Sequence, residues 1–180
     1  RFRVNGEFGN LPAWLAGSNV TLKVNADIST GNFDPVSFMG DTSNTTAGER
    51  RAYSFPSDIE AIVRFRTDNL VYGLFSAEKI SGLFKYRRGV FDLSDLSISA
   101  MGGTARGEFY LAQNKTKSYI SHGNFAFDGI DINRTFTAFR NFGQDFLKAE
   151  NIAGTLSGSL TILMPLDSVL NPDIKAITAE

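Results

Sequence analysis

The sequence predicts a β-rich α+β fold, elongated and built largely from antiparallel hairpins. Three observations predict it. Apolar and polar residues alternate through successive runs. The turns between those runs are too short to carry a parallel crossover. A six-residue string also nearly recurs: Ala77-Glu78-Lys79-Ile80-Ser81-Gly82, then Ala149-Glu150-Asn151-Ile152-Ala153-Gly154. Each copy follows a Phe-bearing segment (Leu74 and Phe75; Phe142, Phe146 and Leu147) and leads into a strand-like run. Such recurrence points to a repeat-built β architecture.

Residues 41–52 carry no bulky apolar side chain, which predicts a mobile surface loop between residues 1–40 and the rest. Ile59, Ala61, Val63 and Phe65 then alternate with Glu60, Arg64 and Arg66 as a half-buried strand. Leu70, Val71, Leu74 and Phe75 have the spacing of a short helix, capped by Asp68 or Asn69. Ile80–Tyr86 reads as a strand, Arg87-Arg88-Gly89 as a hairpin turn, and Val90–Ala100 as the partner. Within that partner the phase slips, since Phe91 and Leu93 are odd while Leu96 and Ile98 are even. A bulge at Ser94-Asp95 reconciles them.

Gly102-Gly103 is a turn, and Thr104–Leu111 follows as a strand with Ala105, Phe109 and Leu111 on one face. Asn114-Lys115 is a loop and Tyr119–Phe127 a strand. Asp131–Leu147 is the main predicted helix, striped by Ile132, Phe136, Phe139 and Phe146 and capped by Asp131 or Asn133. Gly143 weakens its last turn by about 1 kcal/mol relative to Ala. Ile152, Leu156, Leu160, Ile162 and Met164 alternate with small polar residues as a closing strand, which Pro165 ends.

Composition narrows the function. Net charge is −1 with scattered Lys and Arg, so no basic face exists for nucleic acid. With no Cys there is neither a disulfide framework nor a thiolate metal site. No segment approaches the roughly 20 apolar residues that span a bilayer as a helix. The 180 residues read as one domain, expected to be an excerpt of a longer protein. Sixteen Phe residues supply a large core or an apolar binding surface. Such a sheet face can close as a core or remain open as a groove for acyl chains; the residue pattern alone favours closing.

Residues suited to catalysis do not form a recognisable set. The one His, His122, adjoins Ser121 on a strand, where neighbours point to opposite faces, and no nucleophile-elbow motif is present. The carboxylate pairs Asp92/Asp95, Asp128/Asp131 and Asp145/Glu150 lie beside turns and helix ends, where capping accounts for them. Gly102–Gly107 lacks the Lys-Ser/Thr ending of a phosphate loop and leads into a strand. No cofactor or metal is expected.

From Phe55 to Glu180 the chain resembles the C-terminal region of the AsmA-like family of bacterial envelope proteins. Ser54-Phe55-Pro56-Ser57-Asp58-Ile59 is similar to its Leu-Pro-x-Asn-Ile lead-in. Glu78-Lys79-Ile80-Ser81-Gly82-Leu83-Phe84, with Gly89, Leu93, Leu96 and Gly102-Gly103, resembles its Ile-x-Gly…Leu-x-x-Leu…Gly-Gly pattern. Gly129-Ile130-Asp131-Ile132 with Phe136, Phe139 and Phe142 resembles its Val-Asp-Ile…Phe-x-x-Phe helix. Leu156-Ser157-Gly158 and Pro172-Asp173-Ile174 are similar to its closing strand and next repeat.

The resemblance implies a repeating β-groove, an elongated curved antiparallel sheet with an apolar inner face and one or two helices covering it. It implies a non-enzymatic module on the periplasmic side of a bacterial inner membrane, in a parent anchored by a segment absent from this chain. The implied role is to bind or conduct phospholipid or other acyl-chain lipid and to support outer-membrane assembly, with envelope proteins as partners. The groove candidates are Phe84, Tyr86, Phe91, Leu93, Phe109, Leu111, Ile152, Leu156 and Leu160. Ile132, Phe136, Phe139 and Phe146 would cover the groove, and Gly82 and Gly154 would sit at joints of the sheet. Two other readings stand beside it: a structural or protein-interaction β module with a closed core, and a glycan or lipid hydrolase.

Overall fold

The computed structural model describes residues 2–34, 55–114 and 116–180. The expected loop 41–52 lies outside them, as do Ser54 and Lys115. The chain forms one nine-stranded sheet whose spatial order is its sequence order. The strands are β1 (Phe2–Gly9), β2 (Leu22–Phe33), β3 (Ile59–Tyr72), β4 (Phe75–Arg87), β5 (Val90–Ala100), β6 (Gly103–Gln113), β7 (Tyr119–Asp131), β8 (Thr155–Leu166) and β9 (Thr178–Ala179). Helix α1 (Leu11–Leu15) joins β1 to β2, and α2 (Ile132–Ala138) follows β7 directly.

Every neighbouring pair is antiparallel except β2 and β3, which run parallel with Leu22 beside Ile59 and Phe33 beside Leu70. The expected all-antiparallel sheet is therefore mixed. A parallel pair cannot be joined by a tight turn. The described part of the first 40 residues, 2–34, is not set apart from the rest, because β2 hydrogen-bonds β3 along its length.

Strands turn over at two rims. One carries α1, the start of β3, the β4–β5 turn and the β6–β7 loop. The other carries the β3–β4 turn, the β5–β6 turn and the α2 region. The slip foreseen at Ser94-Asp95 is present as a register shift between Leu93 and Leu96, with Asp95 at φ 53°. Two further shifts are of the same kind, around Lys79 (φ 51°) and Gly129 (φ 65°). At each, the apolar residues step by three, Ala77 to Ile80, Leu93 to Leu96 and Phe127 to Ile130, so the same face stays apolar across the bulge.

Four expectations fail. The helix placed at Asp68–Phe75 is instead the end of β3, a turn at Gly73-Leu74 and the start of β4. Gly73 takes φ 61°, and Tyr72 pairs with Phe75 across the turn. The helix Asp131–Leu147 stops at Ala138, and a 3-10 turn over Arg140–Gly143 follows. Arg140, Asn141 and Phe142 all take left-handed angles (φ 49°, 54° and 55°), which no α-helix continues. The Asp131 cap is present, its carboxylate accepting from Arg134 N at 2.9 Å.

The closing strand begins at Thr155, and Ile152 lies before it. Pro165 does not end that strand, which runs to Leu166. The Pro165 carbonyl accepts from Asp173 N on the side away from β7, so its nitrogen faces outward and no bond to β7 is lost. Finally, the two Ala-Glu-x-Ile-x-Gly strings are not equivalent. The first lies within β4 and follows a hairpin turn. The second is a 3-10 turn (Ala149–Asn151) and the coil leading to β8.

Among the described residues eight hydrophobic side chains are buried, a small number for a sheet this wide. Ala77, Ile80 and Ala100 form one cluster, with Phe65, Leu70, Phe75, Leu96, Ile98 and Met101 packed on it. No second sheet or helical layer closes over the rest among the described residues.

Candidate functional site: the apolar face of the sheet

Because side chains alternate along a strand, the register assigns every residue to a face. One lateral row crosses all nine strands: Gly6, Ala26, Val63, Phe84, Leu93, Phe109, Gly123, Ile162 and Ala179. All are apolar. The row one residue along, on the opposite face, reads Glu7, Asn25, Ile62, Lys85, Asp92, Tyr110, His122, Leu163 and Thr178. A shift of one position thus separates an apolar face from a charged and polar one.

The next row on the apolar face is Phe8, Val24, Ala61, Tyr86, Phe91, Leu111, Ser121 and Met164. Its one polar member, Ser121, donates to the Met164 carbonyl at 2.9 Å. Across the regular parts of β1 to β8 this face carries no charged side chain. With strands about 4.8 Å apart, nine of them give a track of roughly 38 Å.

Phe84, Tyr86, Phe91, Leu93, Phe109 and Leu111 therefore share one face, and the bulge at Asp95 does not separate them. Leu156 and Leu160 join them from β8, through Ile130 and Phe125 of β7. Ile152 does not, since it precedes the strand. The covering helix is confined to one rim. Thr135 Oγ1 bonds Met101 Sδ at the β5–β6 turn, and the Phe139 ring lies 5.8 Å from Phe75. Phe136 packs against Phe142 at 5.2 Å. Phe146 is outside α2 and 88% exposed, so it covers nothing.

The residues missed from sequence are the flat aromatic floor. A β-carbon at Gly82 would stand 2.7 Å from the Phe65 ring, and one at Gly107 or Gly123 2.6 Å from Phe125. Phe65 lies over Gly82 of the neighbouring strand, and Phe125 over Gly107 of the neighbouring strand and Gly123 of its own, which keeps the floor shallow. Gly82, expected to allow close backbone approach or a bend, instead makes room for the Phe65 side chain. Gly154 has open space around it and φ 126°, so its role is conformational. The signal for Phe125 was available: it shares parity with Tyr119, Ser121, Gly123 and Phe127.

At the α1 rim the face is sealed over β4, β5 and β7, whereas Phe8 of β1 in the same row is 46% exposed. Tyr86 is 5% and Tyr119 1% exposed. The Tyr86 hydroxyl donates to the Pro56 carbonyl and accepts from Gly89 N at 3.3 Å, and Tyr119 accepts from Gln113 Nε2 at 2.9 Å. Burial pushes both phenols above the ordinary tyrosine range; for Tyr86 the nearby Asp58 charge adds to this and the Gly89 bond opposes it.

Residues weighed for chemistry do not converge. Ser121 is buried on the apolar face and His122 lies on the other. Asp131 is a helix cap, and among the described residues no three metal-ligating side chains cluster. No described helix is long and apolar enough to cross a membrane. Compared with protein families, curated proteins and solved structures, the chain gives no match in any of the three.

Proposed function

We propose that this chain is a non-enzymatic module that holds lipid acyl chains along its open apolar face, as part of an AsmA-like envelope protein on the periplasmic side of a bacterial inner membrane. The observation that carries this reading is the uninterrupted apolar row from Gly6 to Ala179. Its large side chains, Val63, Phe84, Leu93, Phe109 and Ile162, are only half-buried, and an apolar strip of that length gains from further cover. A flexible chain of methylenes suits a floor of flat rings and glycines better than a folded surface with fixed knobs does. Each methylene removed from water contributes about 0.8 kcal/mol, so ten contribute on the order of 8 kcal/mol before ordering costs. A track of roughly 38 Å exceeds the hydrocarbon thickness of about 30 Å of a whole bilayer, so it is long enough for more than one acyl chain end to end.

Native mass spectrometry and solvent extraction of the purified chain test the reading. Co-purifying phospholipid, lost on Phe109→Glu in mid-track, is the expected result. A folded, lipid-free protein whose apolar face instead binds a protein partner would replace this reading with the interaction-module one.

A further inference from the structure

The residues just before β3, from Phe55 to Asp58, lie against the apolar face. The Phe55 ring stands edge-on to Phe91, centroids 4.3 Å apart, and to Tyr119 at 5.3 Å. Tyr86 stacks obliquely on Phe91 at 4.7 Å and holds the Pro56 carbonyl. Two further bonds fasten the segment: Trp14 Nε1 donates to Asp58 Oδ2 at 2.7 Å, and Leu22 N donates to the Asp58 carbonyl at 2.8 Å.

These anchors all involve Pro56 or Asp58, and none involves the Phe55 side chain. The Phe55 ring is therefore held by apolar contact, beside the polar anchors at Pro56 and Asp58. Elsewhere on the same face Phe84, Phe109 and Phe125 are half-buried.

We propose that Tyr86, Phe91 and Tyr119 form a binding pocket for the end of an acyl chain, and that Phe55 is its built-in occupant when no lipid is present. This rests on the acyl-chain reading above. Burying a phenyl ring and burying about three methylenes release comparable free energy. An incoming chain can therefore replace the ring at little net cost while the Pro56 and Asp58 bonds persist. A competent state populated at about a tenth lowers apparent affinity on the order of tenfold.

The test is titration of the purified chain with cis-parinaric acid, a fluorescent fatty acid. Phe55→Ala should bind on the order of tenfold more tightly than the wild type, by the same population argument, and Phe55→Leu, which still fills the pocket, should stay close to wild type. Wild-type binding with Phe55→Ala equal or weaker would overturn the occupant role and leave the groove reading standing. Binding by neither would overturn both. A second readout does not require the alanine variant to fold. In Phe55→Trp, with Trp14 kept so that its bond to Asp58 remains, saturation with palmitic acid should shift the emission contributed by the new Trp, taken as the difference from wild type, to longer wavelength as the ring is expelled. Unchanged or blue-shifted emission would overturn the proposal.

Discussion

The two rims treat aromatic residues in opposite ways. At the α1 rim, Tyr86 and Tyr119 lie beneath Phe55 and Pro56, and their hydroxyls are used by backbone and side-chain partners. At the α2 rim, Phe139, Phe142 and Phe146 are 45%, 58% and 88% exposed, next to Leu74 at 60%. The difference follows from what the chain returns with. The segment entering β3 brings polar anchors and one ring, which bind it flat to the sheet. The segment leaving α2 passes through left-handed angles at Arg140, Asn141 and Phe142, which turn the chain away from the sheet. An aromatic-rich stretch is therefore not by itself a covering layer; it needs backbone geometry that brings it down.

Substitutions at the two rims should differ accordingly. Tyr119→Ala, at the sealed rim, should cost about 3–5 kcal/mol by denaturant unfolding, as for other large-to-small core changes. A loss under 1 kcal/mol would mean that this rim is no better packed than the other. On the floor between the rims, Gly123→Val should cost about 1–3 kcal/mol, because the added carbons meet the Phe125 ring. In a Phe125→Ala background the same Gly123→Val change should cost much less, a non-additivity that a double-mutant cycle reads directly. At the α2 rim, Asp131→Ala should cost about 1 kcal/mol through loss of the cap to Arg134 N.

Alkaline pH separates the rims by sign. The Tyr86 and Tyr119 phenols have raised values in the folded state, so the folded chain retains their protons longer. Their contribution is complete below about pH 10, the unfolded value, and is lost as pH rises through the folded one. Wild type should therefore lose stability above about pH 10 faster than Tyr119→Phe does. The smallest effect belongs to Phe146→Ala, expected within about 0.5 kcal/mol of wild type. A larger loss would show that the exposed rim is packed after all.

Much of the sheet was legible because its strands obey a period of two. The slip at Ser94-Asp95 could be read because Leu93 and Leu96 flank it with clear alternation on both sides. The equivalent steps at Ala77–Ile80 and Phe127–Ile130 have the same spacing, but one was hidden by the near-repeat and the other by the approach of a helix. Leu70, Val71, Leu74 and Phe75 mimicked a helical face because a two-residue turn also spaces apolar residues by three and four; Gly73 was the discriminating residue. The parallel β2–β3 pair was not legible, since pairing across residues 34–58 leaves no local mark. For the groove, six of the candidates share one face as named, whereas the flat packing of Phe65 and Phe125 depends on glycines in other strands.

The parallel pair also orders events during synthesis. The turns from β3 to β6 close within a few residues, so those hairpins form as soon as both arms have left the ribosome. The β1–β2 hairpin emerges before them, yet its inner strand has no second neighbour until β3 has followed. For that interval β2 presents an apolar face and an open edge at once, the combination that invites pairing with a wrong strand. Hydrogen exchange on the refolding chain should accordingly protect β3–β8 before β1 and β2, so that strands made before β3 are the last to join the sheet.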